Sequence, residues 1–331
     1  MSKNITTSSF RNLPGGLLLF LLFCLLTELF LLSVRPELVR DFWNKFLINE
    51  SVLIATPQNY SYLIMGDSLQ KTGINPGAIS KDVINLGLPG GKPLSLYLLL
   101  KRYLEKHAPP KAIFLYVDPE DAKDSFYLIL KYFVTLPEFM SIYGELTWEE
   151  RWAFISRYLV SLDERNTFRE WRSSYPYSNK RFVDDLKRNQ GYMPSPNSGI
   201  TIKDDYFTSH KERIQSSVSF SSMDERYLDR FMRLASSKNI DIIFTGIVIP
   251  KQLYAIFDVT GFNKDYISFI ERLKRRYPDA YFVNKPALYM DNRYFGDMSH
   301  VNKAGSEAYT EYFKKQVLEH YLLAKEQEIK K

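Results

Sequence analysis

Short apolar runs that end in turns set the rhythm of this chain. Residues 60–65 close with Tyr62-Leu63-Ile64-Met65 and break at Gly66-Asp67-Ser68-Leu69. Residues 82–86 break at Gly87-Leu88-Pro89-Gly90-Gly91, and residues 112–117 at Asp118-Pro119-Glu120. Residues 240–250 form a long β-branched run, and 280–283 a last short one. Unalternating apolar runs of this length predict strands buried on both faces. The segments between them, 94–107, 224–238, 263–277 and 303–321, carry apolar residues at helical spacing. Strand, helix, strand in succession predicts an α/β fold with a central parallel sheet. Ligands of such sheets gather beyond the C-terminal strand ends, where Ser68, Gly87 and Asp118-Pro119-Glu120 fall.

The rest of the chain departs from that rhythm in two places. Residues 1–13 are polar, and 17–34 are almost unbroken Leu and Phe, interrupted by Thr27 and Glu28. About twenty apolar residues match a bilayer core, so 14–35 is expected to be one transmembrane signal anchor. No small-x-small cleavage site follows it, which argues against a removed signal peptide. Lys3 and Arg11 precede the run while Arg35, Arg40 and Lys45 follow it, so charge does not orient it. Glu28 either meets a membrane partner or reaches the interface. Residues 36–58 read as a juxtamembrane connection bearing Phe42, Trp43, Phe46 and Leu47, and 59–331 as the domain.

The second departure is an insertion at about 120–222. It has helical spacing over 126–143 and 148–160, then a stretch over 173–208 rich in Tyr, Pro, Ser and Asn. Its aromatics suit a polymer surface or ordinary packing. Arg169, Arg172 and Arg181 are available to anionic substituents or form a solvated face.

Candidate chemistry concentrates at two distant stretches. A serine at the turn after a buried strand exposes its Oγ and places its N–H at a helix start, which a serine nucleophile requires. The same Gly66-Asp67-Ser68-Leu69 also serves as a plain helix cap. At the far end, Asp297-Met298-Ser299-His300 puts a carboxylate three residues before an imidazole, ahead of a helix. On one loop the carboxylate can orient the ring. Of the four histidines, His107, His210, His300 and His320, only His300 has that context.

Composition adds exclusions. With 331 residues, 45% hydrophobic, the chain can hold one large domain with an insert. Its net charge of +6 is scattered, with no dense Lys/Arg block for a nucleic acid, and suits an anionic envelope surface. One cysteine, Cys24, excludes an intrachain disulfide and a cysteine-based zinc site. No cofactor or metal is expected.

Gly66-Asp67-Ser68-Leu69, Asn85-Leu86-Gly87 and Asp297-x-x-His300 resemble the first, second and last blocks of the SGNH (GDSL) hydrolases. The resemblance covers about 56–120 and 223–320. It implies a three-layer α/β/α sandwich and a triad of Ser68, His300 and Asp297. It also implies an oxyanion hole from the backbone N–H groups of Ser68 and Gly87, with Asn85 as a substitute donor. The family's third block, Gly-x-Asn-Asp, is replaced by Asp118-Pro119-Glu120-Asp121, which removes the usual asparagine donor. An anchored SGNH-like domain resembles proteins of cell-envelope polymer acylation. The implied function is therefore a serine esterase or O-acyltransferase on an acylated envelope glycan or polymer, with the domain outside the cytoplasm. The alternatives are a catalytically silent glycan-binding or scaffolding partner of an integral-membrane O-acyltransferase, and a secreted lipase.

Overall fold

The computed structural model describes residues 15–38, 58–119, 123–156, 179–203, 205–209 and 218–330. The polar tail, residues 39–57 of the connection, Arg169, Arg172, the Arg181 side chain and His210 lie outside that description. A helix runs over Gly15–Leu38, with Leu19, Phe20, Phe23 and Phe30 exposed. Among the described residues no helix is long and apolar enough to cross a membrane. In Gly15–Leu38 the side chains are described only as far as Phe30.

The domain is α/β, built on a five-stranded sheet. Its strands are β1 (Tyr62–Met65), β2 (Val83–Asn85), β3 (Ala112–Leu115), β4 (Asp241–Phe244) and, after β5 (Ile247–Pro250), β6 (Tyr281–Phe282). The order is β2-β1-β3-β4-β6, and all pairs are parallel. Leu63, Ile64 and Met65 are fully buried, as are all four residues of β3. That is why these runs lack alternation: neither face meets water. Phe114 packs on Phe313 and Tyr321 of the C-terminal helices. Phe244, one register position out of phase with Phe114, stacks on Tyr277, which follows the helix Phe262–Arg276. Because successive residues of a strand face opposite ways, the two contacts place helices on both faces.

Two expected elements come out differently, and one further helix appears. The run 240–250, expected as one strand, is two strands in two sheets. It breaks at Thr245-Gly246, where a Cβ on Gly246 would lie 2.3 Å from Pro286 O. β5 then leaves to pair in parallel with β7 (Ala287–Met290). The segment 126–143 is not one helix. Thr135 caps Leu136–Ile142 in a reciprocal capping box with Glu138, and Pro137 cannot continue the turn before it. The helix Lys251–Thr260 was not anticipated, because the apolar strand before it masks its start.

The insertion divides in two. Residues 123–156 dock on the helices Pro93–Leu104 and Ser222–Ser237. There Arg102 makes a bidentate pair with Glu138, and Glu145 receives Arg226 and Arg230. Residues 189–202 run instead along the free edge of β2 and on to the loop of His300.

Candidate active site

β1 and β3 are neighbours, yet the chain leaves β1 for β2 on the other side. The order therefore reverses between β1 and β3, and the crevice at such a reversal is where α/β sheets bind ligands. Ser68 follows β1 and Asp118 follows β3 at this crevice. Asp67 caps the helix Ser68–Gly73 by accepting the Leu69 N–H at 2.8 Å, which leaves Ser68 as its first residue. A Cβ at Gly66 would meet Gln70 Cγ at 2.7 Å and Tyr116 Cβ at 2.9 Å, so only glycine allows this turn to press against β3.

The other half is a closed loop. Phe295 and Val301 form an antiparallel bridge, and Gly296 N–H donates to His300 O at 2.9 Å. Asn302 caps the following helix, Lys303–Tyr312, through Gly305 N–H. This hairpin brings residues 232 positions apart into contact: His300 Nε2 lies 2.9 Å from Ser68 Oγ. His300 Nδ1 lies 3.0 Å from both Asp297 Oδ1 and Oδ2. Asp297 Oδ1 also accepts the backbone N–H groups of His300 at 2.7 Å and Ser299 at 2.9 Å.

These contacts fix the charges. Burial pushes the Asp297 carboxyl up, but the hydrogen bond and charge of His300 and the two backbone donors hold it well below the usual carboxylate range. Burial pushes the His300 imidazole down, and Asp297, with a smaller pull from Asp67, raises it above its ordinary value. Asp67 is pushed up to about 7, first by burial and then by the Asp118 charge. The Leu69 N–H, His300 and Lys92 oppose that rise.

Asp67 therefore carries a pH prediction. Between about pH 4 and 7 the folded protein holds a proton that the unfolded chain has released. Stability therefore falls as the pH rises across that window, and levels off once the buried group ionises near 7. Asp67→Asn keeps an acceptor for Leu69 N–H and removes the charge. It is expected to stabilise the protein relative to wild type at pH 8, by on the order of 2–4 kcal/mol, and far less at pH 5. Thermal melts at the two pH values check this; an equal difference at both removes Asp67 as the cause.

Two of the three expected oxyanion donors, Asn85 and Gly87, make other hydrogen bonds. Asn85 is fully buried and its amide is committed: Nδ2 donates to Gln70 O at 2.7 Å and Ile74 O at 2.8 Å. Its Oδ1 accepts the Gly87 N–H at 3.0 Å. The Asn85 amide and the Gly87 N–H are thus engaged with each other and with the end of the Ser68 helix, which they tie to β2. The Gly/Pro-rich turn that follows was expected, but the Gly90 N–H within it was not singled out. Gly91 N–H closes on Leu88 O at 2.7 Å around Pro89 and Gly90, and Gly90 has φ 65°. With proline second and positive φ third, this is a type II turn, a signal legible in Pro89-Gly90. Leu88 N–H donates to Gly66 O, seating the turn two residues before Ser68. The N–H groups of Ser68 and Gly90 have no hydrogen-bond partner among the described residues.

Asp118 meets a cation that sequence reasoning did not single out. Lys92, 3% exposed, places Nζ 2.8 Å from Asp118 Oδ2. Asn197, also unforeseen, donates Nδ2 to Asp297 Oδ2 at 2.9 Å. His107 stacks on Tyr103 and His320 lies on the C-terminal helix, so neither joins the relay. Among the described residues no group of His, Cys, Asp and Glu is arranged to hold a metal. In comparisons with known proteins, no family model and no curated protein matches this chain.

Proposed function

We propose that the domain is an SGNH-type serine esterase or O-acyltransferase. The observation that carries the reading is the unbroken relay from Ser68 Oγ through His300 to Asp297. Ser68 Oγ bonds to an ester carbonyl carbon as its proton passes to His300 Nε2. The N–H groups of Ser68 and Gly90 face the oxyanion. His300 returns the proton to the leaving alkoxide, and an acyl-enzyme remains on Ser68. Water, or a sugar or polyol hydroxyl, then gives its proton to His300 and takes the acyl group, and His300 returns that proton to Ser68 Oγ. The same relay serves both fates.

The substrate class follows from the proposed location. The apolar run 17–34 is read as a single-pass anchor with the domain on the extracytoplasmic side, facing acylated glycan or polymer of the cell envelope. One observation favours a second reading, a silent partner of a membrane O-acyltransferase. It is the Lys92–Asp118 pair standing where SGNH enzymes carry an asparagine donor.

The test uses the full chain in detergent micelles with a fluorophosphonate probe at pH 8. Covalent labelling that mass spectrometry places on Ser68, absent in Ser68→Ala, is expected. Turnover of acetyl over long-chain nitrophenyl esters would then separate an envelope deacylase from a lipase. A folded chain with Ser68 unlabelled overturns the enzyme reading in favour of the silent partner.

A further inference from the structure

Residues 190–202 of the insertion touch both halves of the relay. Gln190 O accepts the Asn85 N–H at 2.9 Å, and Gln190 Nε2 donates to Val83 O at 2.6 Å, on the free edge of β2. A Cβ on Gly191 would lie 2.0 Å from Asn85 O, so the segment lies directly on that strand. Met193 N–H then donates to Lys71 O, on the helix that begins at Ser68. Five residues later the segment reaches the other half. Lys303 N–H donates to Ser198 O at 2.9 Å, Asn302 Nδ2 to Ile200 O at 3.1 Å, and Ile202 N–H to Phe295 O at 3.0 Å.

Asn197 sits where this segment meets the carboxylate. Its loop is set by Ser195, 3% exposed, whose Oγ accepts the Asn197 N–H. The backbone of Asn197 packs so closely on Gly296 that a Cβ there would lie 2.2 Å from Asn197 O. The ionised carboxylate only accepts hydrogen bonds, so the amide nitrogen, not its oxygen, faces Asp297. Two backbone donors hold Oδ1 and Asn197 holds Oδ2. The carboxylate plane is thereby fixed with both oxygens 3.0 Å from His300 Nδ1.

We propose that residues 190–202 are a strap that holds the Ser68 helix and the His300 loop in register. Asn197 is its positioning residue, orienting Asp297 and setting the basicity of His300. This rests on the reading of Ser68 as the nucleophile. The charged groups around His300 are Asp297 and Asp67, with Asp118 and Lys92 behind Asp67. Asn197→Asp keeps the shape, removes the donor and adds a carboxyl, whereas Asn197→Ala removes the contact alone.

The experiment measures two quantities against pH in the full chain. One is the rate of fluorophosphonate labelling. The other is the His300 titration by imidazole NMR, assigned with His300→Gln. Asn197→Ala is expected to label about 10- to 100-fold more slowly, with His300 titrating lower than in wild type. Asn197→Asp is expected to titrate His300 higher, because the added carboxyl ionises beside Asp297, and its labelling rate to fall with acid at a higher pH than wild type. A merely bracing residue would leave the His300 titration of Asn197→Ala at its wild-type position, and that result overturns the strap. If wild-type Ser68 is not labelled, the nucleophile reading fails on its own. The His300 titrations of the two variants still decide whether Asn197 orients Asp297.

Discussion

Asp297→Asn is expected to slow fluorophosphonate labelling of Ser68 by about 10³–10⁴ at neutral pH. Four N–H donors converge on this carboxylate: the imidazole, the backbones of Ser299 and His300, and the Asn197 amide. A carboxylate can accept them all, while an amide offers one oxygen and turns an NH₂ group towards donors it cannot pair with. The imidazole then loses the anion that fixes its Nδ1–H tautomer, and with it a base lone pair on Nε2 facing Ser68 Oγ. It also loses the charge that raises its pKa against the downward push of burial. Because the neutral ring is the base, the wild-type rate is expected to fall with acid at a pH above the ordinary histidine value. The variant's acid limb moves lower, under a much reduced plateau. Rates measured from pH 5 to 9 check both features. A plateau within tenfold of wild type would mean that Asp297 only shapes its loop.

The two halves of this relay are legible in the sequence for the same local reason. Gly66-Asp67-Ser68 follows a buried strand and starts a helix, and Asp297-x-x-His300 precedes a helix capped by Asn302. Strand period, cap chemistry and turn glycine all lie within a few residues, and the fold agrees with them. What was missed depends on contacts between distant segments. Gly87 and Gly90 share one glycine-rich turn, and the order of residues alone does not tell which N–H is taken. The Asn85 side chain decides it, because its amide also has to satisfy two carbonyls at the end of the Ser68 helix. Likewise the apolar run 240–250 has the composition of one strand, but the close approach of Pro286 to Gly246 divides it. Asn197 lies 100 residues from its carboxylate in a stretch with weak periodicity, so no spacing links the two.

The same dependence on distant contacts governs the second large effect, Lys92→Met. Lys92 is the residue before the helix Pro93–Leu104, and its backbone is fixed there by Ser95 Oγ. Its side chain has no route to bulk water, since the residue is 3% exposed, and its ammonium sits 2.8 Å from Asp118. Asp118 in turn raises the neighbouring Asp67 carboxyl and the Tyr116 hydroxyl. Lys92 is thus the cation that allows two carboxyls to share the crevice between β1 and β3. Removing one partner of such a mostly buried pair costs up to about 3–5 kcal/mol, because the remaining charge is left largely out of water. The loss is expected to be larger at pH 8, where Asp67 has ionised beside the pair, than at pH 5, where Asp67 holds its proton. Asp118→Asn in the same chain removes the stranded charge and is expected to restore most of the stability. Thermal or denaturant unfolding of the single and double variants at both pH values completes the cycle. If Lys92→Met loses under about 1 kcal/mol, or loses the same at both pH values, the pair is an incidental contact. If the double variant recovers stability yet labels at Ser68 as fast as wild type, the pair exists to neutralise Asp118. The oxyanion then depends on the backbone donors alone.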